Sequence, residues 1–320
     1  MNSTIACEYG SEIDTFVAIL NMKKIIVIAG ATGNLGGKIV NSLLTKGAEV
    51  RAIVRLETDP KKIKELEAKG VIVCAFDLSH KSKIVNFFGG AHCFISALAG
   101  LEETIMLTQK ILLDAAIEAK VQRFIPSDYS SDFTNLIPGQ NRNLDFRRRF
   151  HDYIDTTPIN ATTIFNGPFM DLLTTDMPLI LFKQKKILCW GNPNQKLEFT
   201  TTYNVAEFTA EAAIDIDTPR YLRIAGDVLS CNDFVELMTS LTSQKHKLLR
   251  PGGIKLLNSL IKVIRFFSPA QNELYPAWQG MQYMRDLMEG RIVIQNHDNN
   301  RYEKINWIAV KDYLIREKGY

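Results

Sequence analysis

The sequence predicts an α/β protein: a Rossmann-like, doubly wound parallel sheet followed by a smaller α/β C-terminal substrate domain. Two observations predict this class. Short apolar runs alternate with helical spacing from residue 23 to about residue 128, and a glycine-rich turn joins the first run to the first helix pattern. The apolar runs carry Val and Ile on both faces, which is typical of strands covered by helices on both sides.

The elements follow one another as repeated strand and helix units. Strands are predicted at 25–29, 49–54, 71–76, 93–96 and 123–126, with 161–165 as a sixth, and helices at 36–46, 60–69, 80–88, 101–120 and 144–154. Regularity fades after residue 165. We therefore predict an NAD(P)-binding domain over 22–165 and a mainly substrate-binding domain over 166–320, with segments near 200–225 returning to the first domain.

The composition excludes several classes of protein. The net charge of +3 arises from 38 basic and 35 acidic residues mixed along the chain, so we predict no nucleic-acid partner. The five cysteines lie far apart, without a CxxC pair or a nearby histidine at ligand spacing, so we predict neither a metal site nor disulfides, and a cytoplasmic location.

Two segments bear on targeting. Residues 1–21 lack a positively charged start and a cleavage site, and we expect an extension that is either non-native or disordered. The basic amphipathic stretch 254–267 suits either a membrane surface or packing on its own domain. We expect the second, and so predict no membrane partner.

The glycine-rich turn predicts a dinucleotide site. The turn follows a strand, opens a helix and contains Gly30, Gly33 and Gly36. Gly30 allows a tight turn, Gly33 allows close approach of a pyrophosphate, and Gly36 allows the helix to pack closely on the strand. The helix that starts near Asn34 directs its N–H groups at the phosphates, and the loop therefore also brings Thr32 and Leu35 to the cofactor.

The next strand ends indicate which dinucleotide binds. Arg55 ends the second strand, where an acid would favour NAD and a basic group accepts a 2′-phosphate, so the sequence favours NADP(H). Asp77 ends the third strand, where it either meets the adenine or caps the next helix. Ser96 and Ala97 end the fourth strand and are small enough to border the cofactor ribose.

Four segments carry a family resemblance: 30–40 (GATGNLGGKIV), 52–78 (beginning AIVRLETDP), 121–133 (VQRFIPSDYSSDF) and 199–215 (FTTTYNVAEFTAEAAID). Together they resemble the NmrA-like branch of atypical short-chain dehydrogenase/reductases, especially isoflavone reductase-like and phenylcoumaran benzylic ether reductase-like proteins. The resemblance implies an NADP-binding domain, a substrate pocket between two domains, and Pro126 and Ser127 beside the nicotinamide. It places further cofactor and substrate contacts at Asn166.

One position departs from that family. The reductases carry a lysine near the nicotinamide ribose that serves in proton transfer, and Arg147 stands at the matching place. Arginine can bind a hydroxyl but does not readily release a proton. None of the ten tyrosines is followed by lysine four residues later, so the usual Tyr-Lys pair is also missing. Other candidates for the catalytic proton are Tyr129, Ser127 and His151.

Two functions remain open. The first is an NADPH-dependent reductase that transfers hydride to a small, partly apolar organic substrate. The second is a non-catalytic NADP(H)-binding redox sensor, which the missing Tyr-Lys pair favours. An epimerase or lyase is disfavoured because it normally needs the same pair. The oligomeric state is left open, with a homodimer as one alternative.

Overall fold

Six strands form one parallel sheet in the computed structural model, which describes residues 23–77, 80–292 and 296–320. In chain order they are β1 (Ile25–Ala29), β2 (Glu49–Arg55), β3 (Ile72–Phe76), β4 (Cys93–Ser96), β5 (Arg123–Ile125) and β6 (Asn160–Ala161). Their spatial order is β3-β2-β1-β4-β5-β6, and each pair is parallel. This is the Rossmann strand order, so the predicted fold class is confirmed. The predicted extension 1–21 lies outside the described residues.

Ten α-helices and seven further strands complete the described part of the chain. The helices are α1 (Asn34–Thr45), α2 (Pro60–Glu67), α3 (Lys81–Phe88), α4 (Gln109–Glu118), α5 (Arg142–Ile154), α6 (Thr202–Ile214), α7 (Cys231–Thr242), α8 (Ile254–Phe267), α9 (Ala277–Glu289) and α10 (Val310–Lys318). The strands are β7 (Thr163–Phe165), β8 (Ile180–Leu181), β9 (Lys186–Trp190), β10 (Lys196–Phe199), β11 (Tyr221–Arg223), β12 (Asp227–Ser230) and β13 (Lys247–Gly252). No helix among the described residues is both long and apolar enough to cross a membrane.

Both faces of the sheet are buried, as the apolar strands predict. Alternate residues of β1 enter different cores, with Ile26 and Ile28 on one face and Val27 and Ala29 on the other. The first core is completed by α1 and α6, and the second by α3, α4 and α5. This is the doubly wound arrangement, in which helices cover both sides of a parallel sheet.

Helix α6 joins the first core although it lies far along the chain. Its small residues, including Ala206 and Ala210, are fully buried there and let the helix approach the sheet closely. Its C-terminal carbonyl of Ala212 accepts a hydrogen bond from buried Arg123 of β5 at 2.8 Å. A cation at the C-terminal end of a helix offsets the negative end of its dipole, so this contact fixes α6 against the sheet.

The sixth predicted strand, 161–165, is wrong as one element. Residues Asn160–Ala161 form β6 at the edge of the main sheet, whereas Thr163–Phe165 form β7, which pairs in parallel with β11. The backbone leaves the sheet after Thr162, whose N–H still donates to the carbonyl of Phe124 at 2.9 Å. A continuous apolar run cannot reveal this change of partner, because β11 lies almost 60 residues later.

The helix predicted over 101–120 differs from the structure at its start. It begins with a π-helical turn over Glu103–Thr108, and α4 follows from Gln109. A π turn widens the helix by one residue and is frequent at functional sites.

The helix predicted at 144–154 begins instead at Arg142. The Asn141 side chain accepts a hydrogen bond from the N–H of Leu144 and thereby caps the start of this helix.

A third core lies in the C-terminal half. It buries residues of β9, α7, α8, α9 and α10, together with Phe133, Leu136 and Leu144 from the region after β5. Its strands form a β8-β9-β13 sheet and the antiparallel pair β10-β12. The domain boundaries at 22–165 and 166–320 stay a prediction, since residues from both ranges share this core.

Two glycines fix the turn between β1 and α1. Gly30 has φ of 89°, and a Cβ there would lie 2.4 Å from the carbonyl oxygen of Ala97, just after β4. A Cβ on Gly36 would lie only 2.1 Å from the carbonyl oxygen of Gly30. By contrast, a Cβ on Gly37 would meet its nearest atom, the Ala31 oxygen, at an ordinary 3.5 Å.

We expect Gly36→Ala to lower the free energy of unfolding by at least about 2 kcal/mol, because the added methyl group forces α1 away from the turn. Denaturant unfolding followed by circular dichroism measures the change.

Gly37→Ala is the matched control, one residue further along the same helix. It should be neutral, or raise the free energy of unfolding by about 0.5–1 kcal/mol through better helix propensity. Equal losses for both variants would show that the close contact at Gly36 does not hold the turn.

Candidate functional site

The first part of the candidate site is the turn between β1 and α1. Unlike Gly30 and Gly36, Gly33 is not required by internal packing. A Cβ added to Gly33 would meet only the Gly30 oxygen, at 3.3 Å, and would otherwise face open space. Gly33 also stands at the N-cap of α1, and no side chain caps that helix. An exposed, uncapped helix start with room above it is suited to bind a phosphate group.

The residues around Gly33 line the same opening. Gly33 and Asn34 are exposed, and Thr32 and Leu35 are half-buried, which places all four at the surface of the turn. The carboxamide oxygen of Asn34 contacts the ammonium group of Lys38 one helical turn later. The predicted phosphate-binding residues therefore share one surface, while Gly36 beneath them is buried.

The ends of β2 and β3 lie side by side at the same edge of the sheet. Arg55 is paired in register with Phe76, and its exposed guanidinium makes no ion pair or hydrogen bond with any residue that the structure describes. Its donors are thus available to a bound anion. Asp77 follows β3, and its carboxylate lies 3.6 Å from the imidazole of His80. That contact joins the end of β3 to His80, the residue before α3.

Three buried polar atoms near these strand ends have no hydrogen-bond partner within the part of the chain that the structure describes. They are Ser96 Oγ at the end of β4, Asp128 Oδ1 after β5 and Asn166 Oδ1 after β7. Such atoms are rare in folded proteins because each has lost its water without replacement. Ser96 and Asp128 follow the neighbouring strands β4 and β5, at the edge where ligands of open α/β sheets bind. The N–H of Asn166 donates to the Ser130 carbonyl at 2.9 Å, which brings Asn166 to the segment after β5. The three atoms therefore fit a polar ligand. Ala97, beside Ser96, is half-buried there.

Three hydrogen bonds hold Ser127 in place. Its N–H donates to the Gln109 side chain at 2.9 Å, its hydroxyl donates to the Leu98 carbonyl at 2.5 Å, and its carbonyl accepts from Arg147 Nε at 3.0 Å. Pro126, immediately before it, is buried. The hydroxyl of Ser127 is therefore engaged in joining the ends of β4 and β5, which weighs against its predicted role as a proton donor.

Arg147 lies on α5 and faces the end of β5. Besides the Ser127 carbonyl, it binds the Asn143 carbonyl through Nη1 at 2.9 Å. No described residue accepts a hydrogen bond from Nη2, and the side chain is half-buried. Arg147 can thus hold the loop in place and still donate to an oxygen atom of a bound ligand.

A buried carboxylate and imidazole lie next to this arginine. The Asp128 Oδ2 atom lies 2.5 Å from His151 Nε2 and accepts from the Thr163 hydroxyl at 2.9 Å. Burial alone would raise the pKa of Asp128, but His151, Arg147 and the hydrogen bond from Thr163 hold it below its usual value. His151 also packs on the ring of Phe133, with centroids 4.9 Å apart. This pair connects the end of β5 to α5 and β7.

Tyr129 points into the protein. It belongs to the first core, between the sheet and α6, and burial raises the pKa of its hydroxyl far above the usual range. His151 is likewise only 5% exposed. The roles of Tyr129 and His151 as proton donors stay predictions, and their burial weighs against both.

Two residues of this region escaped the sequence analysis. Gln109 is fully buried, and its amide also donates to the Ile105 carbonyl within the π turn at 3.2 Å. Thr163 links Asp128 to Arg220, whose Nη1 donates to the threonine hydroxyl at 2.9 Å. Gln109 stands in a mainly apolar stretch shortly before Ile111, and a polar residue at such a place indicates a buried hydrogen bond. No sequence pattern distinguishes Thr163.

Comparison with known proteins agrees with the sequence-based resemblance. The model of the NmrA-like family matches residues 22–276. Among curated proteins, "Probable pinoresinol-lariciresinol reductase 3" of Arabidopsis thaliana is 28% identical over 227 residues, or 67% of this chain and 72% of that protein.

Solved structures resemble most of the chain. One, described as "AtPrR2 with NADP+ and (+)pinoresinol", has a TM-score of 0.77 at 20% identity and covers 92% of this chain and 98% of its own. Another, a complex of leucoanthocyanidin reductase with NADPH from Vitis vinifera, has a TM-score of 0.75 at 17% identity and covers 91% and 98%. The two structures share the fold, and the cofactors that they contain agree with the predicted NADP(H).

The buried Asp128 predicts a pH-dependent contribution to stability. Because its native pKa is lowered, its contribution is present at neutral pH and is lost as the pH falls below about 4, where the unfolded carboxylate takes up a proton first. We expect Asp128→Asn to cost about 2–4 kcal/mol at pH 7 and progressively less below pH 4. Denaturant unfolding from pH 3 to 7 measures this difference.

Asp152→Asn is the control, because Asp152 is exposed on the same helix. Its unfolding curves should follow those of the unchanged protein at every pH. A cost for Asp128→Asn that stays constant from pH 7 to pH 3 would contradict the inferred pairing.

Proposed function

The chain belongs to the NmrA-like family. From this membership and from the geometry of the phosphate cradle, the surface that residues 32–35 form between β1 and α1, we propose that it is an NADPH-dependent oxidoreductase. It transfers hydride to a small, partly apolar organic substrate. The observation that carries the proposal is the uncapped start of α1 at Gly33, together with Arg55 at the end of the neighbouring strand β2, whose guanidinium has no partner among the described residues.

The residues present fit NADP(H). Gly30 and Gly36 shape the turn, while Gly33, with Thr32, Asn34 and Leu35, borders the space for the pyrophosphate. Arg55 offers a charged, two-pronged donor to the 2′-phosphate, and Asp77 lies at the next strand end. When bound, NADPH supplies the hydride.

The polar strand ends suit the other half of the cofactor. Ser96 and Asn166 each offer a buried oxygen without a partner among the described residues, and Ala97 is a small, half-buried residue next to Ser96. Pro126 and Ser127 follow β5, which neighbours β4 in the sheet, and Ser127 is held by three hydrogen bonds. A ligand with hydroxyl and amide groups would satisfy the two oxygens.

In this proposal Arg147 holds the segment after β5 in position and polarises an oxygen atom of the ligand. Its Nε and Nη1 hold two backbone carbonyls, which leaves Nη2 to donate to a ligand oxygen and to stabilise negative charge on it. A guanidinium does not release a proton at neutral pH. Since Tyr129 and His151 are buried, we infer that the proton comes from solvent at the mouth of the site.

The alternative is an NADP(H)-binding redox sensor without turnover. One observation favours it: each of the four predicted proton donors is buried or already engaged with backbone carbonyls. The reductase is preferred because the relatives that we compared are described as reductases.

Turnover separates the two functions. Purified protein is incubated with NADPH and a panel of enones, quinones and aryl ethers, and absorbance at the reduced nicotinamide band is followed. Substrate-dependent loss of NADPH supports the reductase. Tight NADPH binding without consumption, also in a cell extract, supports the sensor instead.

Arg55→Ala tests the choice of cofactor. We expect it to weaken NADPH binding at least about tenfold, since a charged hydrogen-bonding group is lost, and to change NADH binding by less than about twofold. Fluorescence titration of both cofactors measures the difference.

Arg316→Ala, at an exposed position on the last helix, should leave both affinities unchanged. Equal weakening of NADPH and NADH by Arg55→Ala would show that Arg55 does not contact the 2′-phosphate.

Arg147→Lys tests the role of the arginine. If the protein is a reductase with the family geometry, we expect turnover to be preserved or raised, because lysine can still bind a ligand oxygen and can also release a proton. Steady-state NADPH oxidation measures it.

Arg148→Lys is the control on the same helix, since Arg148 binds the carbonyls of Phe133 and Leu136 instead. Loss of turnover in Arg147→Lys alone, with an unchanged unfolding curve, would show that the guanidinium has a role that lysine cannot fill.

A further inference from the structure

One long segment of the chain carries positive charge without any negative charge. Between Glu236 and Glu273 there are six lysines and arginines and no aspartate or glutamate. All six are exposed: Lys245, Lys247, Arg250, Lys255, Lys262 and Arg265. No other pair of consecutive acidic residues in the sequence encloses as many lysines and arginines, so this segment is the most strongly basic one in the chain.

Helix α8, in the middle of this segment, also exposes a stripe of apolar side chains. Leu256, Val263 and Phe267 are seven and four residues apart, so they follow one line along the helix. Phe266 lies beside them, and Phe266 and Phe267 are 80% and 79% exposed. Lys255 and Lys262 are themselves seven residues apart and form a parallel line next to the stripe.

The opposite face of α8 already holds the helix in place. Leu257 and Ile261 are buried in the third core, and α9 packs along this side. Asn258 also accepts a hydrogen bond from buried Arg285 of α9 at 3.3 Å. The expectation that 254–267 packs on its own domain therefore holds for this inner face, and the outer stripe is not used by the third core.

We propose that the outer face of α8 binds the surface of an anionic phospholipid membrane. The two phenylalanines and Leu256 would enter the boundary between headgroups and acyl chains, while Lys255, Lys262 and the nearby cations would contact lipid phosphates. This is peripheral contact by a helix lying in the membrane plane. It does not depend on the proposed oxidoreductase activity.

Charge selects the lipid surface over a second copy of the chain. In a symmetric dimer the same patch faces itself, which would bring two sets of cations together without any carboxylate between Glu236 and Glu273 to neutralise them. An anionic bilayer supplies a dense layer of phosphates and an apolar interior at once, which matches both components of this face.

Vesicle sedimentation of the full-length protein tests the proposal. We expect binding to vesicles of phosphatidylcholine with about 30% phosphatidylglycerol, little binding to phosphatidylcholine alone, and release by roughly 0.5 M salt. The double variants Phe266→Ser/Phe267→Ser and Lys255→Glu/Lys262→Glu should each lower partitioning at least about tenfold.

Ile216→Ser is the matched control, because Ile216 is another strongly exposed apolar residue far from α8 in the sequence. It should leave vesicle binding unchanged, and all variants should keep the unfolding curve of the parent protein. Two results would overturn the proposal: failure to sediment with anionic vesicles, or binding that neither double variant weakens. A dimer in light scattering that Phe266→Ser/Phe267→Ser dissociates, without vesicle binding, would assign the face to a second copy instead.

Discussion

The contact between the glycine turn and the end of β4 is the constraint on which the rest of the structure depends. Gly30 lies so close to Ala97, and Gly36 so close to Gly30, that neither position has space for a side chain. This contact sets the direction of α1 and presents its free N–H groups at the carboxyl edge of the sheet. The phosphate cradle is thus a consequence of backbone packing, and Gly33 alone among the three glycines has space beyond it.

Helix α5 extends this edge by holding the segment after β5. Arg147 binds the carbonyl of Ser127, and His151, one turn later, binds the carboxylate of Asp128. Gln109 holds the same segment from the side of the π turn. Because contacts from two helices converge on two neighbouring residues, the short segment that we propose to border the nicotinamide is fixed before any ligand binds.

The same contacts favour the binding of a cofactor over proton transfer by a side chain of this site. Phosphate binding needs backbone N–H groups and a cation. The start of α1 has no side-chain cap, and no described residue pairs with the Arg55 guanidinium. Proton transfer needs a group with access to solvent and an available proton. Tyr129 and His151 are buried, and Ser127 and Arg147 make hydrogen bonds to carbonyl oxygens. A reaction in this site would therefore rely on position and charge more than on a side-chain acid.

Local patterns in the sequence predict the first five strands of the sheet, the glycine turn and the cation at the end of β2. These features depend on local periodicity and on backbone space, which neighbouring residues encode. Three features depend on long-range contacts instead: the division of 160–165 between two sheets, the burial of Tyr129 in the core, and the hydrogen bond from Arg147 to the Ser127 carbonyl. The direction of a side chain at a strand end is set by partners tens of residues away, such as β11, α6 and α5, and no local pattern specifies those contacts.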